Sequence, residues 1–142
     1  MKFNRQRRRR MNIAVRYCSK SGNTKAAAEA IADELGVKAL SVDDPAAVID
    51  EQTDLLIVGG ALYAYGIDER LKVFLSSLSK ENVAKAAVFS TSWLSKHALA
   101  LMKKALASKG IPVAEETFWA KGKEISSHLD EARAFAKKAA KA

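Results

Sequence analysis

The sequence holds a single cysteine, Cys18, among 142 residues. One thiol makes no internal disulfide, so a small disulfide-stapled secreted domain is excluded and a reducing cytoplasm is the expected compartment. No apolar run approaches the ~20 residues that a bilayer-spanning helix needs. No cluster of His, Cys and carboxylate residues has metal-ligand spacing, and no nucleophile stands beside a base along the chain. Internal repeats are missing, as is low complexity beyond the first ten residues. There is also no shortage of apolar residues. They make up 49% of the chain and charged residues 28%, which excludes whole-chain disorder. This length fits one domain with a substantial core.

The net charge of +8 is unevenly placed. Residues 1–10, Met-Lys-Phe-Asn-Arg-Gln-Arg-Arg-Arg-Arg, hold six of the 24 basic residues and no acid. The remainder carries 18 basic against 16 acidic residues, so the body is nearly neutral at +2. Like charges at this density repel and have little to bury, which predicts a disordered basic arm over 1–10 and a folded domain over 11–142. Arginines contact phosphates well, so the arm has a nucleic-acid or anionic-surface reading. A secretory reading fails, because only Met11 to Val15 follows before Arg16 and no long apolar stretch is formed. The reading preferred here is that Met11 begins the functional sequence and the arm is incidental, with nucleic acid the disfavoured partner.

Hydrophobic patterning predicts five strand-helix units. Ile13-Ala14-Val15 with Tyr17 reads as a buried strand. A helix follows over Thr24–Leu35, striped by Ala27/Ala28, Ile31 and Leu35 and stopped by Gly36. Val37–Val42 reads as a second strand, and Asp44-Pro45 as the start of a short helix to about Asp50. Leu55-Leu56-Ile57-Val58, ending in Gly59-Gly60, reads as a strand buried on both faces. Asp68 caps a helix striped by Leu71, Phe74, Leu75 and Leu78. Ala86–Phe89 is the next strand, followed by a helix to Lys109 with Leu94, Ala98, Leu101, Met102 and Ala105 inward. Ile111–Trp119 is the fifth strand. Leu129–Ala140 is the last helix, striped by Leu129, Ala132, Phe135/Ala136 and Ala139. Such alternation means right-handed βαβ crossovers, a parallel sheet and helices on both faces, an α/β/α sandwich.

Ligands of open α/β sheets sit beyond the carboxyl ends of the strands. Three loops leave those ends. The first is Ser19-Lys20-Ser21-Gly22-Asn23-Thr24, which joins three hydroxyls, an amide side chain and a glycine to the amides of a helix start. That combination reads as a phosphate site, against a plain turn capped by Thr24. It is not a Walker loop, since no Gly-Lys-Ser/Thr follows four spacers, nor a Gly-x-Gly-x-x-Gly. Six residues after Cys18 stands Thr24 rather than the arginine of a cysteine phosphatase. Gly59-Gly60 stand where a response-regulator receiver needs its aspartate. Cys18 beside a helix start invites a lowered thiol pKa, but a small loop-lining residue is the preferred reading. The second loop, Gly60-Ala61-Leu62-Tyr63-Ala64-Tyr65-Gly66, presents two tyrosines whose flat faces suit a planar aromatic ligand. The third is Ser90-Thr91-Ser92-Trp93. His97 and His128 read as an exposed helix residue and a helix-start residue, Glu115-Glu116 as a solvated strand end, and Phe118-Trp119 as an edge cover or partner face.

The run from Val15 to Thr24, with Ala28 and Ile31 behind it, resembles the flavodoxin signature, departing from it only at Arg16. The resemblance extends in element order over residues 11–142. It implies a flavodoxin-like fold of the short-chain type, a five-stranded parallel sheet of order 2-1-3-4-5, and FMN as cofactor. It further implies that Ser19, Ser21, Asn23 and Thr24 donate to the FMN phosphate from side chains, and Lys20 to Asn23 from the backbone, Gly22 included. Tyr63 would stack on the ring, with Tyr65 the second choice and Gly66 the place where a peptide adjusts. Ala61, Leu62 and Ala64 complete that loop. Thr91 and Ser92 would meet the pyrimidine edge, and Trp93 would cover the other ring face or pack as core. The Gly-Asp pair that flavodoxins usually carry in this third loop is missing. Asp68 and Glu69 would disfavour extra negative charge on the ring.

By this resemblance the function is electron transfer through bound FMN, serving redox partner proteins or a small-molecule electron acceptor. Two alternatives stand beside it. Carrier flavodoxins are usually strongly acidic, and a body at +2 is not, which favours a flavin-dependent oxidoreductase such as a quinone or protoporphyrinogen-type enzyme. The other is an interaction module whose basic arm binds nucleic acid.

Overall fold

Six consecutive buried residues, Leu55–Gly60, form the strand at the centre of the molecule. Both its faces are covered, which is how a central parallel strand differs from the alternating pattern of a half-exposed one. The computed structural model describes residues 11–63, 66–92 and 96–141. The basic arm, Ala64, Tyr65, Trp93 and Leu94 therefore lie outside the described residues.

In chain order the elements are β1 (Ile13–Tyr17), α1 (Asn23–Leu35), β2 (Ala39–Ser41), β3 (Leu55–Gly60), β4 (Leu62–Tyr63), β5 (Gly66–Ile67), α2 (Glu69–Ser76), β6 (Ala86–Ser90), α3 (His97–Ser108), β7 (Val113–Trp119) and α4 (Leu129–Lys141). The main sheet has the order β2-β1-β3-β6-β7, and all its pairings are parallel. Counting only its five strands, this is the expected 2-1-3-4-5 order. It places the ends of β1, β3 and β6 side by side, with Tyr17 opposite Gly59 and Gly60 opposite Ser90.

Each face of the sheet carries its own core. On one side Val15, Tyr17, Leu55, Ile57 and Phe89 pack with Ala27, Ala28 and Ile31 of α1 and with Ala132, Phe135 and Ala136 of α4. Phe135 stands 6.5 Å from Phe89 and 6.3 Å from Phe118, centroid to centroid, in tilted aromatic contacts. On the other side Leu56, Val58 and Val88 pack under Leu71 and Leu75 of α2 and Met102 and Leu106 of α3. Burial of one such large apolar side chain contributes about 1.5–3 kcal/mol. α1 ends where expected: Gly36 adopts φ 72°, and its amide closes onto the carbonyls of Ala32 and Asp33. Phe118 is core, while Glu115 and Thr117 point to solvent along the edge strand β7, where charge discourages strand addition.

Three expectations are corrected. First, the loop expected after β3 contains two short strands: β4 and β5 form a small antiparallel pair, with Leu62 opposite Ile67 and Tyr63 opposite Gly66. Second, the short helix expected to about Asp50 is a single 3-10 turn, Pro45–Ala47, capped by the Asp44 carboxylate on the Ala46 amide at 2.8 Å. The chain beyond it has too few inward apolar residues to hold a helix against the sheet. Third, the inward face of α3 is Ala98, Leu99, Met102 and Leu106, and Leu101 and Ala105 lie only half-buried on its flank.

The missing crossover helix explains Arg16. It lies in the middle of β1, 9% exposed, on the face that the short turn only partly covers. Its Nε donates to the carbonyl of Ala47 at 2.8 Å and its Nη1 to that of Val15 at 3.0 Å. Its long stem covers sheet that a helix would otherwise cover, and backbone carbonyls satisfy its head. Burial lowers its pKa, against the opposing charge of Asp44.

Candidate functional site

The carboxyl ends of β1, β3 and β6 converge, and hydroxyl groups tie their three loops together. Thr24, in the first turn of α1, is 2% exposed and shares a 2.6 Å hydrogen bond with Thr91, 5% exposed, just after β6. Ser92 shares a 2.9 Å bond with Ser90, and its Oγ accepts the Leu62 amide at 3.3 Å. The third loop therefore holds the first through Thr91 and the second through Ser92. Thr91 and Ser92 were expected to meet the pyrimidine edge of a flavin, with backbone amides of this loop beside them. Their side chains are buried among other protein groups, and satisfied hydroxyls in such a place rigidify the loops they join.

The first loop opens onto α1 as an uncapped helix start. Gly22 occupies the cap position at φ 92°, no side chain caps the helix, and no acid stands in its first turn. A non-glycine residue is strained at that φ, and nothing lies within 4 Å of where a Cβ would project. The Ser19 hydroxyl accepts the Gly22 amide at 3.0 Å and the Ser21 hydroxyl the Asn23 amide at 3.5 Å. Lys20, Ser21 and Gly22 are exposed, Ser19 and Asn23 half-buried. Neutral hydroxyls, backbone amides and the positive end of a helix dipole, with no acid in the helix's first turn, form a donor set that fits a phosphate monoester. Thr24 is not the cap of this helix.

Two residues that the sequence reading passed over complete the surroundings. Gly122, after β7, lies so close to Asn23 that a Cβ there would stand 2.6 Å from Asn23 Nδ2. The other is Arg70. It binds Asp68 through its Nε at 3.0 Å and also pairs with Asp43. An acid at a helix cap followed two residues later by arginine was the signal available for this cluster. Asp68 caps α2 as expected, accepting the Arg70 amide at 2.8 Å. The Arg70 hydrogen bonds outweigh burial and hold its pKa down at about 2. Its charge is thus matched by Arg70 and by Lys20, whose Nζ lies 3.8 Å from Asp68 Oδ2.

The same ammonium stands 4.5 Å from the centroid of the Tyr63 ring. Lys20 therefore draws the first loop across the second, between a carboxylate and an aromatic face. Tyr63 is half-buried on β4, Leu62 beside it points to the α2/α3 side, and Ala61 and Gly66 are half-buried as well. Cys18 is 1% exposed, and burial pushes its thiol up to about 11, so the lowered-pKa reading is replaced by that of a packed small residue. His97 is exposed at the start of α3, and His128 bonds Glu131 at the start of α4. Half-buried Trp119 meets the Lys96 ammonium 5.6 Å from its ring centroid. Among the described residues no group of three metal-ligating side chains comes together. Among them, too, no helix is long and apolar enough to cross a membrane.

The Asp68 pKa has a stability consequence with a definite sign. A carboxyl whose pKa falls from 3.8 unfolded to about 2 folded stabilises the fold above the unfolded value, and that contribution vanishes as pH falls through about 2. Asp68→Asn can keep the capping oxygen Oδ1 but removes the charge and the Oδ2 acceptor of Arg70 Nη2. It is expected to lower stability by about 2 kcal/mol at pH 7, with the gap to wild type closing between about pH 4 and 2. Denaturant unfolding of both proteins across that range checks this. A gap that stays constant with pH would show that the carboxylate charge contributes nothing.

The flavodoxin domain sequence model matches residues 14–136. Solved structures with the same fold include a flavodoxin from the domain Archaea, 24% identical over 92% of this chain and 97% of that one, at a TM-score of 0.69. Flavodoxin 1 from Bacillus cereus is 22% identical over 89% and 97%, also at 0.69. Rubredoxin oxygen:oxidoreductase from Desulfovibrio gigas is 16% identical at a TM-score of 0.78, covering 92% of this chain but 35% of that larger protein. No curated protein sequence matches significantly.

Proposed function

Because this chain belongs to the flavodoxin domain family, we propose that it binds FMN and transfers electrons, with the loop from Ser19 to Thr24 as the phosphate site. FMN, when bound, supplies reversible one- and two-electron chemistry, and the protein supplies position and electrostatics. The observation that carries this reading is the uncapped, acid-free start of α1 behind Gly22. Ser19, Ser21 and the amides of Lys20 to Asn23 are the phosphate donors, with Asn23 beside them. Thr24 belongs to this loop as its anchor, through Thr91. Tyr63, on the second loop with Ala61, Leu62 and Gly66, is the residue proposed to meet the ring. Thr91 and Ser92 set the spacing between the loops. Ala64, Tyr65 and Trp93 are the remaining proposed ring contacts.

Redox partner proteins are the proposed electron donors and acceptors. A second reading, an FMN-dependent oxidoreductase, is favoured by the near-neutral body and by an apolar cleft that opens beside Tyr63. Steady-state turnover with quinones separates the two, since a carrier turns over only with its protein partners. The primary test is the visible spectrum of the protein after FMN is added and the excess removed. Retained flavin bands at one FMN per chain are the expected result, and a protein that neither retains FMN nor quenches its fluorescence would overturn the assignment.

A further inference from the structure

α3 carries a second stripe at the edge of its core-facing side, with Leu101 and Ala105 half-buried against the core. His97, Leu101, Lys104, Ala105 and Ser108 fall at i, i+4, i+7, i+8 and i+11, a single stripe along the helix. The fully buried residues of the helix are Ala98, Leu99, Met102 and Leu106. The stripe forms one wall of a cleft of about 690 Å³, whose opposite wall is the β4/β5 pair and Lys72 of α2. A smaller cavity of about 130 Å³ shares Ile67, Lys72, Ala105 and Ser108 with it and continues between Leu75 and Ser76 of α2 and Lys109 at the end of α3. The main cleft is within the size range of small-molecule sites.

Its chemistry is two-sided. The floor is apolar, built from Leu62, Ile67, Leu101 and Ala105. The rim is cationic, with Lys72 and Lys104 both exposed, and no Asp or Glu lines either cavity among the described residues. An apolar floor excludes a fully hydrated ion, and two ammonium groups with no carboxylate among the lining residues disfavour a cation. What remains is a molecule with an apolar body and a negative end. We infer that this cleft is a binding site for a small aromatic carboxylate, its ring on Leu101 and Ala105 and its carboxylate between Lys72 and Lys104. The site is separate from the phosphate loop; Leu62, Tyr63 and Gly66 of the second loop border it, and the residues proposed to hold the ligand, Lys72, Leu101, Lys104 and Ala105, have no part in the FMN reading.

The test uses 2-naphthoate, with 2-naphthalenemethanol as the uncharged probe of the same ring, each titrated calorimetrically into the full chain with and without FMN. Saturable 1:1 binding of 2-naphthoate is expected, at least tenfold tighter than the alcohol. The double substitution Lys72→Gln/Lys104→Gln, at exposed positions, should remove most of that preference and leave alcohol binding within about twofold. Ala105→Trp, filling the floor, should weaken both probes at least tenfold while the circular dichroism spectrum is unchanged. Absence of saturable binding overturns the site, as does naphthoate binding that is indifferent to the lysine pair or to Ala105→Trp. Failure to retain FMN alone would leave these outcomes unaltered and would count only against the cofactor assignment.

Discussion

Ser21→Asp is expected to weaken FMN binding by roughly a hundredfold or more, whereas Ser21→Asn, with the same shape and no charge, should cost no more than about tenfold. A new carboxylate about 5 Å from a phosphate dianion, at an effective dielectric constant of about 40 for a surface loop, costs about 3 kcal/mol. The fold should be indifferent to the change. Ser21 is exposed, its oxygen already accepts the Asn23 amide, and a carboxylate there keeps that bond. Negative charge at a helix start stabilises by about 0.3–1 kcal/mol, so the protein without FMN should be as stable as wild type or slightly more so. Affinity and stability are thus expected to move in opposite directions. Riboflavin, which lacks the phosphate, supplies the internal control: its weaker binding should be nearly equal in wild type and Ser21→Asp. Fluorescence titrations with both flavins check the pair. Equal losses for FMN and riboflavin would show that the aspartate disturbs the ring site and would remove the phosphate from this loop.

What made this loop legible in advance was local. Hydroxyls, a glycine and a helix start follow one another directly from Ser19 to Thr24, and the apolar run of β1 precedes them. Leu55–Val58 was legible for the same reason, as a continuous apolar run with glycines at its end. Elements built from long-range partners were not. β4 and β5 are two residues each and carry no period to read. The hydrogen bonds that Thr91 and Ser92 make were not legible, because a hydroxyl in a loop reveals nothing of its partner, which here is 67 residues away for Thr91. Asp44-Pro45 announced a helix correctly by its cap, but a cap cannot hold a helix that has no apolar stripe behind it. Arg16, read as a departure from the signature, fills the sheet face that the missing helix leaves bare. Its meaning depended on an element that fails to form, which no local pattern displays.

Gly59→Ala should be the most damaging single methyl in the protein. Gly59 pairs with Tyr17 on one side and Phe89 on the other, in the middle of the sheet. A Cβ on it would stand 2.3 to 2.5 Å from three atoms of the Phe89 ring, well inside van der Waals contact. Phe89 cannot retreat, since it is fully buried against Phe135. Overpacking of a well-filled core costs about 1–3 kcal/mol where neighbours can shift. With a rigid ring between two packed layers the expected loss is at the upper end or beyond, on the order of 3 kcal/mol or more, enough to unfold a large fraction of a marginally stable domain. The cause can be isolated with Phe89→Leu. That substitution alone should destabilise by leaving a cavity, by about 1–3 kcal/mol. In the Gly59→Ala background it removes the clashing ring edge, so the double variant should be more stable than Gly59→Ala alone. Opposite signs for the same change in two backgrounds are a coupling that only direct contact produces. Denaturant unfolding of the four proteins measures it, and simple additivity would mean that the Gly59 requirement is not steric. The glycine at the end of β3 is therefore explained by the aromatic ring beside it, and the second loop begins only after the core has set that position.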